Sequence, residues 1–449
     1  MTADAASKVG SDPRELVASS PLARGQVVAI AMCVLLNALD GFDVLSISFA
    51  SPGIAAEWHI DRAALGVVLS MELIGMAAGS LLLGLLCDRN GRRPTILLCL
   101  VLMGLGMTGA AHAGSVGFLS ACRLFTGLGI GGMLAATNAA TAEFTNRRRH
   151  DLAVAMMAAG YPLGAVVGGS IASSLLAHHG WRSVFLFGAG ASFAAIPLVW
   201  FLLPETIAFL VRRGPPQALL LVNRTLTRWG HKPAMALPDP EPEDKGFPLA
   251  RLFTPALRRT TLCLIVAYVA QILTFYFILK WTPKIVVDMG FNPASAGGVL
   301  VWANVGGLLG AVTLSLLTGV VRARWLTIGS MVFAVLFVAL FGRSAADLHQ
   351  LSMLAAIAGF FTNAGMVGLY ALLAAAFPTA ARGSGTGLVI GLGRGGAALS
   401  PVLAGLLFQA GSSLPTVALL MGLGSIVAAG AVLMLPRARS AEAIPLDVR

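Results

Sequence analysis

The sequence predicts an all-α integral membrane protein with twelve spanning helices in two sets of six. Three observations carry this. Hydrophobic residues make up 57% of the 449 positions and charged residues only 11%, against about 25% charged in an average soluble chain. Apolar runs long enough to cross about 30 Å of hydrocarbon recur along the whole chain. The Lys and Arg residues are also sorted between the loops. With the N-terminus placed in the cytoplasm, 24 of the 31 fall on inside segments and five (Arg62, Arg182, Lys280, Lys284 and Arg343) at outside edges. That asymmetry sets orientation in a membrane.

Taken in order, runs at 27–54, 63–86, 94–111, 116–144, 152–177 and 181–203 make a first bundle, 27–203, behind a cytoplasmic tail, 1–26. No small-residue cleavage site follows the first run, so it is expected to stay as a helix and not to act as a signal peptide. A polar stretch, 204–258, holds a Pro-rich piece from Leu237 to Pro242. It reads as a cytoplasmic loop with short amphipathic helices. Runs at 259–281, 294–320, 325–342, 351–376, 384–409 and 414–435 make a second bundle, 259–435, before a cytoplasmic tail, 436–449. A shift of 233 residues superposes Phe144 on Phe377, Arg149 on Arg382, Gly160 on Gly393 and Arg89 on Arg322. Six plus six helices with such matches favour a parallel duplication, with a binding cavity expected at the interface of the halves.

The net charge of +11 is spread in short clusters between apolar runs, the pattern of topology signals and not of a nucleic-acid surface. Cys33, Cys87, Cys99, Cys122 and Cys263 lie in or beside apolar runs without a CxxC pair, and read as small packing residues. No metal cluster, catalytic triad or phosphate-binding GxxxxGK[ST] loop is present in the sequence. The chain is expected not to be an enzyme and to need no cofactor.

Charges inside the spans carry the functional signal. Asp40 and Asp43 sit in the first run, where each carboxylate costs roughly 2.5–3.5 kcal/mol even on an insertion scale. Their i, i+3 spacing puts them on one helix face, able to share protons or a cation. Glu72 in the second run is a third buried acid, either a member of a proton relay or a packing acid kept neutral by burial. Arg394 lies too deep in the eleventh run to snorkel easily, and a buried guanidinium needs an anion. Its partner is either a carboxylate substrate held by a bidentate fork or an acid from the first helices. Arg123 opens a glycine face (Gly127, Gly129, Gly131, Gly132), which suits either a coupling role or a snorkelling arginine beside a packing seam. Asn138 and Glu143 extend its polar side. Glu143, close to Arg147–Arg149, is expected to form a structural ion pair there.

The loop after the second run reads Gly84-Leu-Leu-Cys-Asp88-Arg89-Asn-Gly91-Arg92-Arg93. Gly84 would let two helices approach closely and Gly91 supports a tight turn. This GxxxDRxGRR string resembles the signature loop of the major facilitator superfamily, a cytoplasmic gate there. The equivalent loop, Gly319 to Arg324, lacks the Asp. The Asp40-Gly-Phe-Asp43 string, Arg123 to Gly132, Lys280-Trp281-Thr282-Pro283, and the stretch from Phe377-Pro378-Thr379 to Gly396 together resemble the aromatic acid/proton symporter branch. Lys280 departs from that pattern, where a neutral polar residue is expected.

The resemblance implies the major facilitator fold, a bacterial inner-membrane location, a monomeric transport unit and proton-driven uptake of a benzoate- or hydroxybenzoate-type acid. Asp40, Asp43 and Arg123 are then expected to serve proton coupling, with Glu72 kept as a candidate because it lies one helix from Asp40. Arg394 with Asn37, Phe42, Asn138, Tyr161, Tyr276, Trp302 and Asn304 are candidates for substrate contact. A porter for another organic anion, or a drug/proton antiporter, is the alternative on the same fold.

Overall fold

The computed structural model describes residues 12–215, 217–238 and 249–436, apart from the side chains of residues 379 and 380. Both chain ends and most of the Pro-rich piece at 237–242 lie outside those residues. Among the described residues the protein is all helix, and twelve helices are long and apolar enough to cross a membrane. It is a multi-pass membrane protein. The first six long helices are α1 Arg24–Trp58, α2 Arg62–Asn90, α3 Arg92–Ala111, α4 Val116–Phe144, α5 His150–His178 and α6 Arg182–Leu202. The second six are α7 Arg258–Asp288, α8 Pro293–Leu317, α9 Ala323–Gly342, α10 Leu348–Ala376, α11 Thr379–Gln409 and α12 Leu414–Leu433.

Local chemistry sets several ends. Ser115 caps α4 by accepting from the Phe118 N–H, Asn292 caps α8 from Ser295 ahead of Pro293, and Asp347 caps α10 from His349. Each side-chain oxygen satisfies an N–H that the helix leaves without a partner. Between α6 and α7, short helices span Ile207–Arg213 and Ala218–Arg228, the first capped by Thr206 and closed by Gly214 at φ 53°. The ring of Trp229 fills the space beside Gly25 and meets Phe144 edge-on, so this loop is docked on α1 and α4.

Contacts divide the chain into two compact units. One comprises Met1–Ser46, Ile74–Leu175 and His179–Asp244, and the other Ile47–Leu73, Leu176–His178 and Lys245–Arg449. The ends of α1 and α2 nearest their connecting loop therefore belong with α7 to α12.

Glycine fixes the closest helix pairs within each unit. In the first, a Cβ on Gly160 or Gly164 would run into the carbonyl oxygens of Val34 or Ala38, and one on Gly41 into that of Tyr161, so α1 and α5 touch backbone to backbone. Gly75, Gly79 and Gly131 do the same for α2 and α4. In the second unit Gly306, Gly310 and Gly359 join α8 to α10, while Gly393 leaves room for the ring of Tyr268 between α7 and α11. Gly160 and Gly393, superposed by the 233-residue shift, thus make the same helix-pair contact in the two units. Gly84 does not mark a close approach. A Cβ there would stand 3.9 Å from that of Ala135, an ordinary contact. The tight α2–α4 crossing lies further along at Gly75 and Gly79.

Gly164→Ala should destabilise the protein by about 1–3 kcal/mol or more, because a backbone carbonyl and not a mobile side chain must give way. Gly190→Ala in α6, where nothing lies within 4 Å of the added methyl, should be neutral. Thermal unfolding in detergent compares the two; equal midpoints would show that the α1–α5 seam yields easily.

Candidate functional site

The acidic stretch of α1 is fully enclosed. Asp40 is 1% and Asp43 0% exposed, and Arg123 on α4 is also 0% exposed. The Arg123 Nη2 donates to the Asp43 backbone carbonyl at 2.9 Å, its Nη1 lies 3.0 Å from the Met107 Sδ, and its guanidinium sits over the Phe185 ring at 5.4 Å. A snorkelling arginine is thereby excluded: the charge rests on a carbonyl dipole, a soft sulfur and an aromatic face. Gly188 of α6 leaves room for the Asp43 carboxylate, since a Cβ there would stand 3.0 Å from its Oδ1, and Asp40 lies close enough to Cys99 of α3 to act on it electrostatically. Asn37 holds α1 to α5 by donating to the Met157 carbonyl at 2.6 Å. Phe42 is buried against Gly168 and edge-on to Phe187. Tyr161 is partly buried beside Gly41, whereas Asn138 is exposed and bonds its own helix at Leu134.

At the opposite end of α2, the signature loop is built around Arg92. Its Nη2 meets the Glu143 Oε1 at 2.7 Å, its Nη1 meets the Asp88 Oδ1 at 3.3 Å, and the Thr206 hydroxyl donates to the other Glu143 oxygen at 2.5 Å. Glu143 was expected to pair with Arg147–Arg149. Arg147 instead reaches Glu15, and Glu143 faces the buried Arg92 across two helices. Gly91 takes φ 104° and offers α3 no side-chain cap. Glu205 supplies one from the end of α6, accepting from the Arg92 and Arg93 N–H groups at 3.0 and 3.2 Å. Burial pushes the Glu205 carboxyl above its ordinary range, and the N–H bonds from Thr206, Arg92 and Arg93 pull part of that back. Arg93 lies over Trp200 and donates to its carbonyl, Asp88 also meets Arg212 at 3.4 Å, and Arg89 is exposed. In the equivalent loop Arg324 donates to the Leu433 carbonyl at 2.5 Å.

In the second unit Arg394 is half-buried in the middle of α11, and among the described residues no acid pairs with it. Beside it on α7 stands Tyr268, whose ring packs on Gly393 and whose hydroxyl lies 3.0 Å from that of Tyr370 on α10. Tyr268 is 2% and Tyr370 45% exposed. Tyr276 is buried edge-on to Phe275, Asn304 is buried and bonds its own helix at Leu300, and Trp302 is 54% exposed. Glu72 and Lys280 meet in the same unit, Nζ to Oε1 at 3.3 Å, both 0% exposed. Lys280 is therefore not at the end of its helix. α7 continues eight residues beyond it to Asp288, about 12 Å along the axis.

A family model described as the Major Facilitator Superfamily matches residues 33–342. The chain belongs to the major facilitator superfamily. This facilitator is 29% identical over 430 residues to a gallate transporter of Pseudomonas putida, covering 95% of this chain and 96% of that one. It is 30% identical over 401 residues to the 4-hydroxybenzoate transporter PcaK of the same organism, covering 86% and 87%. A 3-(3-hydroxy-phenyl)propionate transporter of Escherichia coli is 28% identical over 415 residues, covering 92% and 95%. Among solved structures, the inward-open xylose transporter XylE from E. coli superposes with a TM-score of 0.69 at 17% identity, covering 92% of this chain and 96% of that one. A D-xylose-proton symporter superposes at 0.70 and 17%, covering 93% and 98%. These confirm the fold of the facilitator.

Sequence reading passed over Tyr268, Tyr370 and Glu205 of this facilitator. Glu143→Gln should cost about 1.5–3 kcal/mol by weakening hydrogen bonds to a charged partner. Glu15→Gln should cost under about 1 kcal/mol, because the Glu15–Arg147 pair is solvent-exposed. Thermal unfolding of the two variants reads the difference, and equal shifts would mean that the Arg92 cluster holds nothing together.

Proposed function

We propose that this facilitator carries an aromatic carboxylate, such as a benzoate or hydroxybenzoate, into a bacterial cell together with protons, by alternating access. The reading places it in the inner membrane with both termini cytoplasmic, as a monomeric transport unit that performs no chemistry and needs no cofactor beyond the proton. Arg394 carries it. A half-buried guanidinium in a spanning helix, with no acid partner among the described residues, requires an anion, and a carboxylate fits its fork with two parallel hydrogen bonds. The relatives named for gallate, 4-hydroxybenzoate and a hydroxyphenylpropionate all handle an acid on an aromatic frame.

In this scheme Arg394 holds the carboxylate and the paired hydroxyls of Tyr268 and Tyr370 leave one O–H free to donate to it. Tyr276, Trp302 and Asn304 are further candidates for substrate contact in that unit, and Tyr161 and Asn138 are candidates in the first. Asn37 and Phe42, engaged in packing, are assigned to setting the position of the acidic helix. Asp40 and Asp43 take the proton, with Arg123 fixed on the Asp43 carbonyl as the charge that responds. Each proton entering down the membrane potential contributes about 2.3 kcal/mol per 100 mV, which offsets moving one anion against it. Coupling follows if proton and anion each favour the same conformation. A porter for another organic anion satisfies Arg394 equally well. A drug antiporter handling lipophilic cations does not.

Uptake of radiolabelled 4-hydroxybenzoate or protocatechuate by cells making the protein should be saturable and should collapse with an uncoupler. Uptake indifferent to the proton gradient would sink the symport mechanism. Arg394→Lys should raise the apparent KM about tenfold or more, since an ammonium cannot reproduce the fork, and unchanged kinetics would remove Arg394 from the site. Asp40→Asn and Asp43→Asn should abolish concentrative uptake with the protein still folded in the membrane. Wild-type accumulation by both would overturn their assignment.

A further inference from the structure

The helix Ala218–Arg228, between α6 and α7, has two unlike faces. Ala218, Val222, Thr225 and Leu226 are buried, with Trp229 just beyond them. The other face leaves Leu219, Leu220, Arg224, Thr227 and Arg228 exposed along an open hollow that Asn223 also lines. Leu220, which is 66% exposed, stands one turn from Arg224, and Arg224 one turn from Arg228. Two like charges at that spacing repel, and a leucine so exposed gains nothing from water.

Hydrogen bonds fix where this face lies. Arg228 donates through Nη1 and Nη2 to the Phe201 carbonyl at 3.4 and 3.3 Å. Arg93 donates to the Trp200 carbonyl at 2.6 Å and lies over the Trp200 ring. Trp200 and Phe201 stand in the last turn of α6, a spanning helix, and are 57% and 70% exposed. Exposed aromatics at the end of a span mark the headgroup level of a bilayer, and Arg228 is tied to that level. The charge here has one sign. Residues 206–238 carry five basic side chains and no Asp or Glu. Among the described residues no acid pairs with Arg224 or Arg228. All of these groups belong to the first compact unit.

We infer that the exposed face of the helix Ala218–Arg228 is a binding site for an acidic phospholipid of the leaflet in which α6 ends. The lipid phosphate lies between the Arg224 and Arg228 guanidiniums, whose N–H forks match its oxygens. Arg228 has N–H groups to spare beyond those on Phe201. An anion there relieves the repulsion between the two arginines. Leu219 and Leu220 enter the boundary between headgroups and acyl chains, as the apolar side of an interfacial helix does. A zwitterionic lipid brings its own cation to the same place, so a headgroup of net negative charge is favoured. The site uses neither Arg394 nor the acids of α1 and does not depend on what is transported.

Purified full-length protein in detergent is titrated with phosphatidylglycerol, with phosphatidylcholine of the same acyl chains and with glycerol phosphate, and bound molecules are counted by native mass spectrometry. Wild type should retain phosphatidylglycerol over phosphatidylcholine and should not retain glycerol phosphate. Retention of all three alike would overturn the inference. Arg224→Gln, which leaves the Phe201 bonds in place, should weaken phosphatidylglycerol binding about fivefold, and Arg224→Gln with Arg228→Gln should weaken it further. Arg148→Gln with Arg149→Gln removes equal charge from the exposed turn before α5 and should leave binding as in wild type. Unchanged affinity in Arg224→Gln, or an equal loss in the Arg148 and Arg149 variant, would overturn the inference.

The competing anion is this chain's own segment, since Asp239, Glu241, Glu243 and Asp244 follow in sequence. Phosphatidylglycerol binding that appears only after all four are changed to Asn or Gln would assign the face to that segment and also overturn the inference.

Discussion

A charge placed among spanning helices has no water to solvate it, so it must be met by an opposite charge, a dipole or a bound ion. The charged residues of this facilitator are sorted by how that demand is met. Arg92 is met by Glu143 and Asp88, and Lys280 by Glu72. Arg123 is met by the Asp43 carbonyl, a methionine sulfur and a phenyl face. Arg394 has tyrosine hydroxyls nearby and no acid partner among the described residues. The first two groups belong to closed arrangements that stabilise one geometry, and the last is open to an anion. Function follows from that difference more than from the number of charges.

The position of the acids depends in turn on how α1 is packed. Ala38 and Gly41 face α5 because the backbones touch there. Asp40 and Asp43 each follow one of those positions by two residues, which is roughly 200° around a helix, so both turn away from α5. Asp43 then meets α6 at Gly188, and its carbonyl meets Arg123 of α4. A substitution at Gly164 would act on the acids by rotating or displacing α1, without touching a titratable group. Seams of small residues and proton chemistry are thus one problem in this fold.

The twelve helices and the family were legible because apolar length and the GxxxDRxGRR string are local signals. The charges inside spans were equally visible. Their partners were not. Glu143 sits four to six residues from three arginines in sequence, yet its bond goes to Arg92 on another helix, which only helix packing can specify. Gly84 belongs to the signature string, but the tight crossing lies at Gly75 and Gly79. A glycine shows where a backbone is able to approach a neighbour, and the neighbour's path decides whether it does. Phe42 and Asn37 are candidates for substrate contact in the sequence, and in the structure they pack α1 against α5 and α6.

Lys280 shows the same limit from the other side. An apolar run is taken to end where a lysine appears, since an ammonium costs several kcal/mol in hydrocarbon, and that rule put Lys280 at an edge. The rule assumes that the charge stands alone. Glu72 on the neighbouring helix removes that condition, and α7 then continues past the lysine to Asp288. One acid on α2 therefore meets a buried ammonium 208 positions away in sequence, inside a helix that the sequence ends there.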